Sequence, residues 1–195
     1  NGQIIMKNGV PVFTTDEQYS LDHPIGNIQP DLLMSVTPSF TYKGFTLSAL
    51  FDMKFGGDVV SVSEAIATSH GISKRTEQRG ELLLPGMNED GTVNTQRIDA
   101  QLFYQAVGGR QQAVAEEFVY NASFIRLKEI SFGYSFPSLL LRKTPVSSLR
   151  VSFVGRNLAY LMKHTPGTSP EGGYDTSMFS QALDFSSLPY SRTVG

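Results

Sequence analysis

The sequence predicts an all-β, antiparallel transmembrane β-barrel segment, with strands long enough to cross a bilayer and long loops carrying short helices. Three observations predict it. Apolar and polar residues alternate with a period of two through segments of about ten residues, where a globular strand more often has five or six. Very short and very long connections alternate along the chain, as in a barrel trimmed at one end and elaborated at the other. Aromatic residues sit near the segment ends, at Tyr42, Phe45, Phe55, Phe124 and Phe136, where membrane strands carry interfacial girdles. Alternation by itself suits a soluble β-sandwich equally well. A carbohydrate-binding module of that class therefore stands as the alternative.

The elements follow in order. Asn8-Gly9 separates Ile4-Ile5-Met6 from Val10-Pro11-Val12, which suggests a small hairpin with a tight turn. From Leu32 to Tyr42, one face reads Leu32, Met34, Val36, Pro38, Phe40 and Tyr42, and the other is mostly hydroxyls. After Lys43-Gly44 the alternation resumes, with Phe45, Leu47, Ala49, Phe51, Met53 and Phe55 on one side. These two strands form a hairpin. A third alternation runs from Phe124 to Phe136, but Ile125 and Leu127 are out of phase with Ile130, Phe132 and Tyr134. A β-bulge between the halves would shift the phase in this way, as would a change of environment near the end of the strand. The fourth strand, Ser148 to Asn157, sets Leu149, Val151 and Phe153 against Arg150, Ser152 and Arg156.

The connections are unequal. Lys43-Gly44 is minimal, and Pro137 to Ser147 is modest, with room for one helical turn around Leu139–Leu141. Gly56 to Ala122 and Leu158 to Pro189 are long. Within the first, Asp58–Ser69 and Asp99–Val107 are the two candidate helices, each with an aspartate at its start.

Composition narrows the function classes. Only 17% of the 195 residues are charged, against 40% hydrophobic, which is low in charge for a water-soluble domain. A formal net charge of −2 gives no long-range field for a nucleic-acid backbone. The chain has no cysteine, which excludes disulfides and thiolate metal sites. No apolar run is long enough for a transmembrane helix, so membrane insertion has to rest on strands.

Little in the chain points to catalysis or to a resident cofactor. Asn88-Glu-Asp-Gly-Thr-Val-Asn94 has a calcium-loop flavour. Counting Gly91 as the sixth loop position, however, leaves Gly86 first and Arg97 last, neither of them the required acid. A turn using Asp90-Gly91 explains it better. His23, His70 and His164 are isolated in sequence, and there is no HExxH or G-x-S-x-G motif. No residue constellation supports an enzyme.

A set of short segments carries a resemblance. In order these are Ile25-Gly26-Asn27 with Pro30-Asp31; Phe40-Thr-Tyr-Lys-Gly-Phe45; Leu50-Phe-Asp52 with Gly56-Gly-Asp58; and Ala122-Ser-Phe-Ile-Arg-Leu-Lys128 running on to Gly133-Tyr134. Leu149-Arg-Val-Ser152, Gly155-Arg-Asn-Leu158, Thr165-Pro-Gly167 and Leu188-Pro189 with Ser191-Arg192 follow. Together they resemble the SusC/RagA family of TonB-dependent outer-membrane transporters, over nearly the whole chain. The resemblance implies that residues 1–195 are the C-terminal part of a large plugged barrel of the 22-stranded kind. The plug, the N-terminal strands and most of the last strand would lie outside the chain. It implies import of glycan or peptide fragments in the bacterial outer membrane, energy transmitted by TonB through the plug, and a SusD-like surface lipoprotein over the mouth. No cofactor is implied.

In such a barrel Asp52, Lys54, Glu129, Arg150 and Arg156 occupy polar-face positions and would project into the lumen. There they would brace the plug, line the solute path or pair with one another within the wall. Phe103, Tyr104 and Tyr174, in the long loops, are the aromatic candidates for contact with a solute, although loop aromatics more often pack the loop against itself.

Overall fold

A computed structural model describes residues 5–13, 22–110, 114–167, 169–171, 182–186 and 191–195. Strands β1 (Ile5–Lys7) and β2 (Val10–Pro11) form the expected small hairpin. Its turn residues Asn8 and Gly9 both have positive φ, 53° and 78°, the conformation a two-residue hairpin turn demands. The first long alternating segment is two strands, β3 (Leu32–Val36) and β4 (Ser39–Tyr42). Pro38, with no N–H to give, interrupts the ladder between them. Its carbonyl still accepts from the Ala49 amide at 3.1 Å, so the register survives the break. Both strands pair antiparallel with β5 (Phe45–Phe55). The turn uses Lys43 and Gly44 at φ 45° and 87°.

The connection after β5 holds a small folded unit rather than a bare loop. It begins with β6 (Asp58–Ser61) and helix α1 (Val62–Ser69). The expected helix over Asp58–Ser69 is thus corrected at its start. Val59 and Val60 are β-branched and extend readily, and the N-cap is Ser61, whose Oγ accepts from the Glu64 amide at 3.1 Å. A single-turn 3-10 helix (Lys74–Thr76), β7 (Glu81–Leu83), β8 (Met87–Asn88) and β9 (Arg97–Asp99) follow. Helix α2 (Ala100–Val107) starts as expected, with Asp99 Oδ1 accepting from the amides of Gln101 (2.8 Å) and Leu102 (3.3 Å).

After a second 3-10 turn (Ala115–Phe118) and β10 (Val119–Asn121) comes β11 (Phe124–Ser135). The one-turn α3 (Ser138–Leu141) lies where a turn was expected. Then come β12 (Arg150–Lys163), β13 (Leu183–Asp184) and β14 (Thr193–Val194).

The main sheet runs β14-β12-β11-β5, with β3 and β4 sharing the far edge, and every pairing in it is antiparallel. Its central strands have 11, 12 and 14 residues, enough to cross a hydrocarbon core at a tilt. The β-bulge expected in the third strand falls at Lys128. Leu127 pairs with Phe51 and Glu129 with Leu50, so Lys128 is the extra residue. The shift brings Ile125 and Leu127 onto the same face as Ile130, Phe132 and Tyr134. The fourth strand runs six residues past the expected Asn157. Register shifts near Asn157 and again near Leu161 break the alternation there.

Pairing register sorts the sheet into two faces, because directly opposed residues point the same way. One face carries Leu32, Met34, Val36, Phe40 and Tyr42; Phe45, Leu47, Ala49, Phe51, Met53 and Phe55; Ile125, Leu127, Ile130, Phe132 and Tyr134; and Val151, Phe153 and Ala159. None is charged. Phe40 is 65% exposed, and Leu32, Leu47, Phe132, Val151 and Phe153 are also exposed. A sandwich needs a second sheet over such a face, and among the described residues nothing covers it. At the short-turn end, Phe45 lies 4.4 Å from Tyr134 and Tyr134 lies 4.9 Å from Phe136, ring centre to centre. Tyr42, Phe45 and Phe136 thus gather near the strand ends as expected. Phe124 is a correction: it points to the other face, is buried, and meets Tyr160 edge-on at 5.8 Å.

The unit between β5 and β11 has its own core. Ala65 of α1, Val107 of α2 and Phe118 pack together, and Leu82, Ala100 and Tyr104 form a second cluster, with Phe103 touching both. Gly108 lies where α2 runs against α1. A Cβ there would sit 2.6 Å from the Ala65 carbonyl oxygen and 2.7 Å from the Ser69 nitrogen, and both are backbone atoms. Gly108→Ala is therefore expected to destabilise this unit by about 1–3 kcal/mol. In hydrogen exchange the Gly109 amide, bonded to Ala65 O at 2.9 Å, should lose protection while the amides of β11 keep theirs.

Candidate functional site

The polar face of the main sheet is built in cross-strand rows. Lys54, Phe124 and Lys163 make one row; Asp52, Arg126 and Tyr160 the next; then Leu50, Glu129 and Arg156; Ser48, Ser131 and Val154; and Thr46, Gly133 and Ser152. Arg150, opposite Ser135, ends the series. All five residues expected on this face, Asp52, Lys54, Glu129, Arg150 and Arg156, are on it. The bulge at Lys128 adds Arg126 and Lys128, and the longer fourth strand adds Lys163.

Arg126 is the hub. It is only 5% exposed. Its guanidinium lies 3.2 Å from Asp52 Oδ2 and 2.5 Å from Glu171 Oε2, with the rings of Phe124 and Tyr160 each 5.9 Å away. Asp52 also takes Lys128 Nζ at 2.7 Å and the Ser35 hydroxyl at 2.7 Å. The Tyr160 hydroxyl donates to Glu171 Oε2 at 3.1 Å and lies 2.8 Å from Ser169 Oγ. A buried cation is tolerable only when paired and hydrogen-bonded, and here it ties three strands and the segment after β12 into one network. Glu129 pairs separately with Arg156 at 2.9 Å. The Arg150 guanidinium lies over Gly133, where a Cβ would meet its nitrogens at 3.2 Å. Pairing within the wall thus accounts for Asp52, Glu129 and Arg156.

The aromatic candidates of the loops are placed differently. Tyr104 is 9% exposed and its hydroxyl donates to the Arg75 carbonyl at 3.0 Å. Phe103 packs between the two small cores. Both rings pack within the unit. Tyr174 lies outside the described residues, as does Leu188-Pro189. Asp90 is in the expected turn: its Oδ1 accepts from the Thr92 hydroxyl (2.6 Å) and amide (2.9 Å), and Gly91 has φ 81°. Those hydrogen bonds, the hydroxyl's first, hold the Asp90 carboxyl below the usual carboxylate range. His70 caps α1, its Nδ1 2.9 Å from the Ile66 carbonyl.

No protein-family model matches the chain. A curated relative, TonB-dependent receptor P3 of Formosa agariphila, is 29% identical over 174 residues, which cover 87% of this chain and 16% of the relative. Two structures of the RagAB peptide importer superpose on the chain. In the open-open state the TM-score is 0.58, covering 98% of this chain and 19% of the other. In the closed-closed state it is 0.57, covering 99% and 20%. Both are 20% identical. The chain has the fold of a segment of the RagAB importer and is similar in sequence to a TonB-dependent receptor.

The short segments that carry the resemblance have a physical reason, because several of them meet in space. Asn27 and Asp58 exchange two hydrogen bonds: the Asn27 amide donates to Asp58 Oδ2 at 2.8 Å, and the Asp58 amide to the Asn27 carbonyl at 2.7 Å. Gly56, at φ 76°, lies against the Asp31 carboxylate, which leaves no room for a side chain. Its amide donates to Ser123 Oγ at 2.9 Å. Three segments that are distant in sequence thus form one knot where β5 gives way to the loop unit.

The segment Gly155-Arg156-Asn157-Leu158 is a bulge with assigned parts. Asn157 takes φ 53° and its Nδ2 donates to the Ser191 carbonyl at 3.3 Å. Leu158 folds back over Gly155, where a Cβ would be 3.0 Å from its methyl. Asn157→Gly is expected to be tolerated, whereas Asn157→Val should cost about 1–2 kcal/mol for the left-handed conformation. Urea unfolding in lipid vesicles measures both.

Proposed function

We propose that the chain is the C-terminal barrel segment, residues 1–195, of an outer-membrane active transporter that imports oligomeric nutrients. A plug and further strands complete the barrel. TonB supplies energy through the plug, and a SusD-like lipoprotein covers the mouth. The observation that carries this reading is the sheet with two unlike faces: one uncharged, aromatic-rich and uncovered, the other holding every charged side chain of its long strands. Lipid satisfies the first and a wet lumen the second. The short turn at Lys43-Gly44 and the Pro137–Ser147 connection then face the periplasm, and the unit between β5 and β11 faces outward.

The test uses spin labels on the full-length receptor in bilayers, at single cysteines replacing Val151, Ser152, Phe153 and Val154. Oxygen, which concentrates in lipid, should relax labels at 151 and 153. A neutral water-soluble nickel complex should relax those at 152 and 154. Uniform access to nickel at all four positions would defeat the reading. Glycan and peptide cargo both fit the wall as described. The peptide named for the RagAB structures belongs to a protein that shares the fold at 20% identity.

A further inference from the structure

We infer that the solute moved along this wall is anionic, an oligomer bearing carboxylates or sulfates. The inference rests on the reading that the polar face borders the lumen. The chain as a whole carries a formal net charge of −2, yet the charged side chains of its long strands all lie on one face and are mostly cations. Across β5, β11 and β12 that face presents Lys54, Arg126, Lys128, Arg150, Arg156 and Lys163 against only Asp52 and Glu129. Two more carboxylates approach from outside the sheet. Glu171 bonds Arg126, and the fields of Glu171 and then Asp58 reach Lys54. Among the described residues cations remain in excess.

The acids are also already engaged. Asp52 lies between Arg126 and Lys128, Glu171 is on Arg126, and Glu129 is on Arg156. Lys54 and Arg150 have no ion-pair partner among the described residues. They stand at opposite ends of the polar face, Lys54 in the row of Phe124 and Arg150 in the row of Ser135. At strand rise that separation is roughly 35 Å. A confined channel with low-dielectric walls focuses such a field and raises the local concentration of counter-ions. Positive charge at both ends of the wall suits a chain with repeated negative groups better than a single small anion. A neutral oligomer would gain nothing from it.

The test has two arms on the full-length receptor. In the first, a fluorophore on Ser152→Cys, beside Arg150, is quenched by iodide and by neutral acrylamide. Iodide should quench about tenfold more effectively, relative to acrylamide, than it does for the free dye at low ionic strength. Adding Lys54→Gln and Arg150→Gln should remove most of that excess. If acrylamide reaches the dye and iodide shows no advantage, the inference fails while the lumenal reading stands. If acrylamide does not reach it, the lumenal reading itself fails.

In the second arm the receptor is titrated with length-matched pairs: an oligogalacturonate against a malto-oligosaccharide, and an aspartate-rich peptide against its asparagine counterpart. One anionic member should bind more tightly than its neutral twin, with the gap closing as salt rises. Which pair responds identifies the source of the negative charge. Should neither anionic member outbind its twin, the cations serve the plug and the inference is overturned.

Discussion

Arginine in place of Phe51 or Ala49 is expected to destabilise the inserted receptor by about 2–4 kcal/mol. Both positions lie mid-strand on the uncharged face, Phe51 between Val36 and Leu127, and Ala49 opposite Ile130. A guanidinium placed there has no carboxylate on its own face. It must either reach past several residues to the headgroups or drag water into the hydrocarbon, and the cost falls as a position nears the interface. Arginine at Tyr42 or Phe45, beside the short turn, should therefore cost much less, about 0–1 kcal/mol. Reversible unfolding in lipid vesicles gives each value. A flat profile across Tyr42, Phe45, Ala49 and Phe51 would mean that this face meets no lipid.

Removing the Arg126 guanidinium should rank with that effect. Arg126→Met keeps most of the bulk between Phe124 and Tyr160 but leaves two carboxylates short of their cation. Asp52 retains Lys128 and Ser35. Glu171 retains the hydroxyl of Tyr160 and the field of Lys54. Deleting one member of a buried charge pair costs about 3–5 kcal/mol. Both acids keep some solvent, at 16% and 24% side-chain exposure, so the low end, about 3 kcal/mol, is expected. Arg126→Met with Glu171→Gln should recover part of the loss, because no carboxylate is then stranded. Equal losses in the single and double variants would show that Arg126 acts by packing against the two rings. Limited proteolysis after Lys163 gives an independent readout, since Glu171 no longer holds that segment to the wall.

What could be read in advance, and what could not, follows from the range of each interaction. The faces of β5 and the later half of β11 depend on side chains two residues apart, so the amino-acid order shows them directly. The bulge at Lys128 is legible as a phase change, but the cross-strand row it creates is not. One inserted residue moves Arg126 into line with Asp52, and Arg126 was missing from the candidate residues for that reason alone. Lys163 was missed because the bulges near Asn157 and Leu161 make the end of β12 look irregular. Asp99 announced α2 through a local cap. That loop aromatics pack the loop against itself is a general expectation, but the particular partners of Phe103 and Tyr104, such as Leu82 and Phe118, are far along the chain and not legible in it. The same holds for the Arg126–Glu171 pair, which links residues on opposite sides of a long strand.

The two long connections are not separate appendages. β13 adds to β6 as a parallel neighbour, and the Val60 amide donates to the Ala182 carbonyl at 2.8 Å. The Ser61 hydroxyl, while capping α1, also donates to the buried Asp184 carboxylate at 2.7 Å. The Ser186 amide donates to Ser63 Oγ at 2.7 Å. A graft exchanging only one of these connections with a cousin would strand an acid and an exposed strand edge. Successful chimeras should therefore transplant both as a matched set, and natural recombination ought to respect the same boundary.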